Sequence, residues 1–322
     1  ALSRSNLHAV TGAQATRVTF TDGRADGVAF RQDGRSRHVE AEREVLVTAG
    51  AVNSPQLLLL SGIGDPDHLA AHDIGVRAAN PEVGRNLQDH LFATTIYRAT
   101  RPVSLDEADT LWNRLRWLVG KRGPLTSNLA EAGGFVRTDP TLDAPDLQYH
   151  FLPAYLMRHT KDNPDGHGFT LNATQLRPSS RGEIRLRSAD PTADPVIDPG
   201  YLTSDPDLSV LVEGVRRSRE ILQAEPFDDY RGREVWPGSE VETDEEIARH
   251  VRETAETVYH PVGTCRMGTD AESVVDERLR VRGVEALRVA DASVMPTITG
   301  GNTNAPTMAI AERAADLVLG RV

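Results

Sequence analysis

Residues 45–64, VLVTAGAVNSPQLLLLSGIG, constrain the fold more than any other stretch of the chain. VLVTAG is short, apolar and rich in β-branched residues, the pattern of a strand covered on both faces. Such strands belong to parallel sheets flanked by helices. A turn of small residues follows. Ser54 then stands where a cap would, with Pro55 as the first helical residue, since a missing N–H is harmless at that position. QLLLL continues the helix and SGIG stops it. Strand, tight turn and helix N-terminus in this order predict an α/β fold. They make either a seat for an anionic group or an ordinary crossover.

The C-terminal region has the same texture. LRVADAS reads as another short apolar strand ending in a small-residue turn. TITGGNTNAPTMAIAERAADLVLG holds a glycine–asparagine loop and a last helix, with Asn304 as candidate cap and Pro306 in its first turn. At the other end, ATRVTF, a turn-rich link TDGRADG, and a hairpin in VAFRQDGRSRHVEA predict strands. The middle differs. LDEADTLWNRLRWLVGKRG has helical periodicity, with Trp112 and Trp117 among its apolar positions. DLQYHFLPAYL, GFTLNATQLRP and RGEIRLRS alternate like antiparallel strands, and DPDLSVLVEGVRRSREIL and TDEEIARHVRETAETVYH read as helices. Residues 1–90 and 252–322 therefore form one discontinuous α/β domain, and residues 91–251 a separate α+β layer with an antiparallel sheet.

The 36 basic and 47 acidic residues leave a net charge of -11. With no Lys/Arg run, this argues against nucleic acid or an anionic membrane surface as partner. No stretch is long and apolar enough for a transmembrane helix, and ALSRSNLHAV lacks the sections of a signal peptide. The lone Cys265 permits no internal disulfide and fits a reducing cytoplasm; its apolar surroundings predict packing rather than nucleophilic chemistry.

YHPVGTCRMG raises a chemical question. Pro261 restricts the residue before it to extended backbone, so His260 cannot sit mid-helix. A pinned histidine suits acid–base work, although a helix that merely ends before proline would look the same. HLAAH puts His68 and His72 one helical turn apart, a metal-binding spacing, but no third ligand stands nearby and a surface helix is the expected reading. Nucleophile-elbow, H-E-x-x-H, C-x-x-C and Walker motifs are absent from the sequence.

Taken together, GAVNSPQLLLLSGIG, PEVGRNLQDH, and YHPVGTCRMG with LRVADASVMPTITGGNTNAPTMAIAERAADLV resemble the glucose–methanol–choline (GMC) oxidoreductase family. SNLAEAGGFVRT and LRPSSRGEIRLRS are similar to its substrate domain, in the choline-dehydrogenase-like branch. The resemblance implies an FAD-dependent enzyme that oxidises a small-molecule alcohol, a dehydrogenase sooner than an oxidase, with an unspecified electron acceptor. It implies His260 as base and Asn302 as second catalytic position. It also implies cofactor contacts at Ala15, Ala49, Gly50, Asp291, Ala292, and at the helix opening from Asn304 to Thr307. Glu131 either faces a cationic alcohol such as choline or is a solvated loop carboxylate. The family's G-x-G-x-x-G turn and later flavin-side NG loop are not found, and Ala1 aligns within the family's interior. The chain is thus expected to be the C-terminal part of a longer enzyme, with a Rossmann-like FAD domain that is incomplete and weak FAD binding on its own. The alternatives are a non-catalytic binding module or a subunit completed by a partner chain, and a zinc hydrolase built on His68 and His72.

Overall fold

The computed structural model describes residues 3–156 and 165–321; Ala1 lies outside them. Three antiparallel strands open it, β1 (Ala13–Thr21), β2 (Arg24–Gln32) and β3 (Arg35–Glu40). The joining residues Asp22–Gly23 and Asp33–Gly34 all have positive φ. That is the two-residue hairpin geometry that Asp-Gly supplies and that matches strand twist. Of TDGRADG only Asp22 and Gly23 turn; Arg24, Ala25 and Gly27 already pair with Thr21, Phe20 and Thr19.

After β4 (Val45–Val47), helix α1 (Gly50–Leu60) begins at Gly50, so Ser54 is not its cap and Pro55 is not its first residue. The reason lies across the chain. The Asp291 carboxylate accepts the Gly50 N–H at 2.9 Å and the Ser54 hydroxyl at 2.5 Å, which starts the helix at Gly50 rather than at Pro55. Pro55 inside a helix leaves the Ala51 carbonyl without its usual N–H donor. The buried Thr264 hydroxyl donates to that carbonyl at 2.6 Å. Thr264→Val keeps the shape and removes the donor, so thermal and urea melts should show a loss of roughly 1–3 kcal/mol. An unchanged melt would mean that the Ala51 carbonyl needs no partner.

Strands β5 (Ile63–Gly64) and β6 (Ala78–Ala79) pair in parallel around the short helix α2 (Pro66–Ala70). His68 and His72 stack edge to face here at 4.9 Å between centroids. His68 Nε2 accepts the Leu186 N–H at 3.1 Å, a structural duty. Among the described residues no group of three or more His, Cys, Asp or Glu side chains could hold a metal.

The middle layer holds β7 (Leu91–Ala99), α3 (Leu111–Gly120), β8 (Ala132–Val136), β9 (Leu147–Leu152) and β10 (Gly168–Gln175). Next come β11 (Glu183–Arg185), β12 (Val196–Asp198), α4 (Asp205–Leu222), β13 (Arg231–Trp236), α5 (Asp244–Thr254) and β14 (Glu256–Thr257). The antiparallel sheet runs β13-β7-β10-β9-β8, with β14 on the first residues of β7. One face is apolar: Leu147 and Tyr149 of β9, Leu171 and Ala173 of β10, and Ala93 of β7 are buried in the clusters that α4 and α5 complete with Leu211, Val215, Leu222, Ile247 and Val251. The other face carries Gln148, His150, Asn172, Thr174 and Thr94, aligned by the register Thr94–Asn172–His150.

Two local readings change. The last residues of TDEEIARHVRETAETVYH leave the helix, because Glu256 and Thr257 are captured by the edge of β7. RGEIRLRS does not join the large sheet; β11 pairs with β12, and Leu186 enters the core of Val45, Val47, Leu58 and Leu59. Finally β15 (Leu287–Val289) lies parallel to β4, and α6 (Asn304–Val318) closes the chain. Thr303, not Asn304, occupies the cap position of α6, and no side chain caps it. The result is a mixed α/β fold with a parallel strand pair on one side and an antiparallel sheet on the other.

Candidate active site

Two segments meet where the layers join. Glu256 and Thr257 pair with Phe92 and Leu91, and Gln88 and Val262 exchange backbone hydrogen bonds of 3.0 and 2.9 Å. This ladder sets His260 opposite Asp89 and His90. Tyr259 takes a left-handed φ of 60°, a conformation that non-glycine residues adopt rarely, and its N–H is held by Thr257 Oγ1 at 2.8 Å. The kink turns the next residue inward, and the His260 N–H is then fixed by Asp89 Oδ1 at 2.9 Å. Proline alone does not hold His260. The buried Asp89 carboxylate also accepts the His90 N–H and the hydroxyls of Tyr201 and Thr257.

The two imidazoles face each other, Nδ1 to Nδ1, at 3.0 Å with their planes 84° apart. Only one of those nitrogens can carry the proton. His90 Nε2 lies 3.1 Å from the Leu176 carbonyl, which can only accept, so the His90 proton sits on Nε2. His90 Nδ1 is then an acceptor, and the proton between the rings belongs to His260 Nδ1. His260 Nε2 is left with a free lone pair, a tautomer assigned from the hydrogen-bond network. Burial, together with the neighbouring His260, lowers the His90 pKa from 6.5 to about 4, and burial lowers that of His260 as well. Both rings are neutral at pH 7.

Asn302 completes the arrangement from the glycine-rich loop before α6. Its Nδ2 lies 3.4 Å from His260 Nε2, and its Oδ1 accepts from Gln148 Nε2 at 3.2 Å. The amide donor and the imidazole lone pair therefore meet at one point. Gln148 Oε1 is buried without a partner among the described residues. His150, on the same sheet face, has its pKa lowered by burial and by the field of His260.

The residues expected on the cofactor side divide. Ala15 and Ala49 line one cavity of about 350 Å3 with Gln14, Asn53 and Gln56. The Gly50 N–H and the Asp291 carboxylate bind each other, and Asp291 also accepts from Ser293 N at 2.8 Å, so both are tied into the frame. The Ala292 carbonyl accepts the Gly263 N–H, docking that turn on the His260 loop. Asn304 and Thr307 stand in the first turn of α6, where the Thr307 hydroxyl is committed to the Thr303 carbonyl at 2.7 Å. Glu131 is exposed just before β8, and no hydrogen bond among the described residues joins its carboxylate to His260 or Asn302. Cys265 is fully buried in the core, and burial pushes its thiol pKa up, as packing requires.

Sequence reasoning missed Asp89, His90, Gln148 and His150. Asp89 and His90 stand directly before the apolar run of β7, and a buried acid–histidine pair at a strand start was the available signal. Gln148 and His150 alternate with Leu147 and Tyr149, the mark of a strand with one polar face.

An antiparallel sheet closing over a histidine–asparagine pair, beside a parallel αβ frame, sets the architectural class. The models of the family described as GMC oxidoreductase match residues 1–92 and 178–311. The chain belongs to the GMC oxidoreductase family. It is 44% identical to the "Alcohol dehydrogenase [acceptor]" of Pseudomonas putida over all of its own length and 59% of that protein. It is 45% identical to "Oxygen-dependent choline dehydrogenase 1" of Chromohalobacter salexigens, covering 100% of this chain and 58% of the relative. Pyridoxine 4-oxidase from "Mesorbium loti" superposes with a TM-score of 0.86 at 30% identity, over 97% of this chain and 58% of that one. A crystal structure of formate oxidase gives 0.90 at 28%, over 96% and 60%. The chain thus spans about three fifths of the length of these relatives. No helix among the described residues is long and apolar enough to cross a membrane.

Proposed function

We propose that the chain carries the proton-accepting and substrate-facing part of an FAD-dependent oxidoreductase that converts an alcohol to an aldehyde. The observation that carries this is the convergence of the His260 Nε2 lone pair with the Asn302 Nδ2 donor. An alcohol hydroxyl placed between them gives its proton to His260 while Asn302 holds its oxygen in line. His90 keeps His260 in the tautomer that leaves Nε2 free, and Asp89 keeps the ring aimed. The polar face with Gln148, His150 and Asn172 forms the wall against which the substrate lies.

FAD, when bound, supplies the hydride acceptor. The residues present suit it. The cavity of Ala15 and Ala49 has small side chains on its rim, as close approach of a flat heterocycle needs, and the uncapped N-terminus of α6 at Asn304–Thr307 favours a negatively charged group. Gly50, Asp291 and Ala292 form the frame between those two places. Residues 1–90 and 252–322 are read as the cofactor part and 91–251 as the substrate part, with 182–198 packed on the former. The same reading favours a cytoplasmic dehydrogenase, with Glu131 near the mouth of the site for a cationic alcohol. A subunit or binding module without chemistry of its own is the weaker reading, because the His260–Asn302 pair is complete within this chain.

Anaerobic mixing of the FAD-loaded protein with a panel of alcohols tests the proposal by loss of flavin absorbance; no reduction by any alcohol would exclude it. Asn302→Ala should slow that reduction and lower the melting temperature only modestly, since Asn302 is exposed, caps nothing and leaves one buried donor, Gln148 Nε2, without its acceptor. A collapsed melt with normal chemistry would reassign Asn302 to structure.

A further inference from the structure

Helix α3 departs from the pattern of its neighbours. α4 buries Leu208, Leu211 and Val215, and α5 buries Ile247 and Val251, whereas α3 buries nothing. At about 100° per residue, Leu111, Trp112, Leu115, Leu118 and Val119 form one stripe. That stripe faces outward, with exposures of 84%, 66%, 50%, 66% and 79%. Arg114 and Arg116 flank it on opposite sides, and Lys121 and Arg122 follow its C-terminal end. From Thr110 to Ala130 these four cations stand without a single acid, in a chain of net charge -11. The nearest acid, Asp109, holds Arg114 through two hydrogen bonds of 2.5 and 2.6 Å, and Lys121 Nζ sits 3.8 Å above the Trp117 ring.

We propose that α3 docks the protein on an anionic lipid bilayer, lying in the plane of the headgroups. An outward apolar stripe with tryptophan, bordered by cations on long stems, is the design of an interfacial helix. The apolar side chains enter about 5–10 Å, while guanidinium and ammonium groups stay at the phosphates. A protein partner fits less well. Stable complexes bury roughly 800 Å2 per side, and the outer face of a ten-residue helix is a strip only about 15 Å by 10 Å. Enclosing four cations in such a contact would also desolvate them, whereas lipid phosphates keep them paired. The net charge of the whole chain argues against an anionic membrane surface, and the proposal rests instead on the local charge of α3. Arg114 and Arg116 are separated from each other and from Lys121–Arg122 by apolar residues, so no long basic run is visible, but the helix sets the first two on either side of one stripe and the last two at its end.

The experiment is flotation of the 322-residue chain with vesicles of phosphatidylcholine, with and without phosphatidylglycerol, while tryptophan emission is followed. A Trp112→Phe variant assigns the signal. Binding is expected with phosphatidylglycerol, with a blue shift at Trp112, and is expected to weaken as salt rises. Leu115→Glu with Leu118→Glu should abolish it without changing the melting temperature, since both side chains are exposed. Neutralising Arg116, Lys121 and Arg122 to Gln should weaken it by roughly fivefold per cation. Three results would overturn the proposal. One is binding that ignores phosphatidylglycerol or survives the double-glutamate change. Another is a chain that binds no vesicle and forms a dimer which that change dissociates, making the stripe a self-interface. The third is Trp112 already shielded from acrylamide before lipid is added.

Discussion

Under the proposed function, His260→Ala is expected to lower the rate of flavin reduction in the FAD-loaded protein by roughly 10²–10⁴-fold, the usual worth of a positioned base. The substitution removes the lone pair that meets Asn302 Nδ2, and the other imidazoles of the site, His90 and His150, point at other partners. In the unsubstituted protein the reduction rate is expected to rise with pH and to level off above the His260 pKa. Burial places that pKa below the ordinary imidazole value of 6.5, so the rate should already be flat at neutral pH. Stopped-flow absorbance with a saturating alcohol across a pH series reads both effects. A variant that reduces at the native rate, or one whose pH profile is unchanged, removes His260 from the chemistry.

Asp89→Ala should be the most damaging substitution for stability, at about 3 kcal/mol or more by urea denaturation. Asp89 accepts four hydrogen bonds from Tyr201, Thr257, and the backbones of His90 and His260, in a position that is 9% exposed. Removing it strands several donors at once. The Tyr201→Phe change removes one donor together with its need and should be far milder. Equal losses for the two variants would show that Asp89 is not the hub of this junction. Acid works in the same direction through His90. Its folded pKa of about 4 lies below 6.5, so the unfolded chain binds the extra proton. Stability is full above pH 6.5 and falls as pH drops from there toward 4.

The parts of the fold that a local pattern dictates were legible. VLV and LRV are strands as their β-branched residues require, but VLV is covered on one face only: Val45 and Val47 are buried while Leu46 is exposed; the alternating strands of the middle layer follow from burial on one face. The capping box at Thr243 and Glu246 starts α5 where acidic residues follow a threonine. What failed depends on distant partners. Pro55 is tolerated inside α1 because Thr264, 209 residues away (264 − 55), meets the carbonyl it leaves bare. Asp291 moves the start of α1 to Gly50 from the far end of the chain. His260 stood out because of its proline, and Asn302 through family resemblance. His90 did not stand out, since only the folded ladder brings its Nδ1 to that of His260. Helix α3 was predicted as a helix, but its periodicity could not say which way the stripe points.

The pleat of β9 and β10 has a practical corollary for redesign. Leu147, Tyr149, Leu171 and Ala173 sit in the core, while Gln148, His150 and Asn172 alternate with them on the opposite face. Mutational tolerance therefore segregates by parity along each strand. If the proposed function holds, randomising 150 and 172 is expected to vary the substrate accepted with little cost to folding, whereas the same diversity placed one residue away would spend most of a library on unfolded clones.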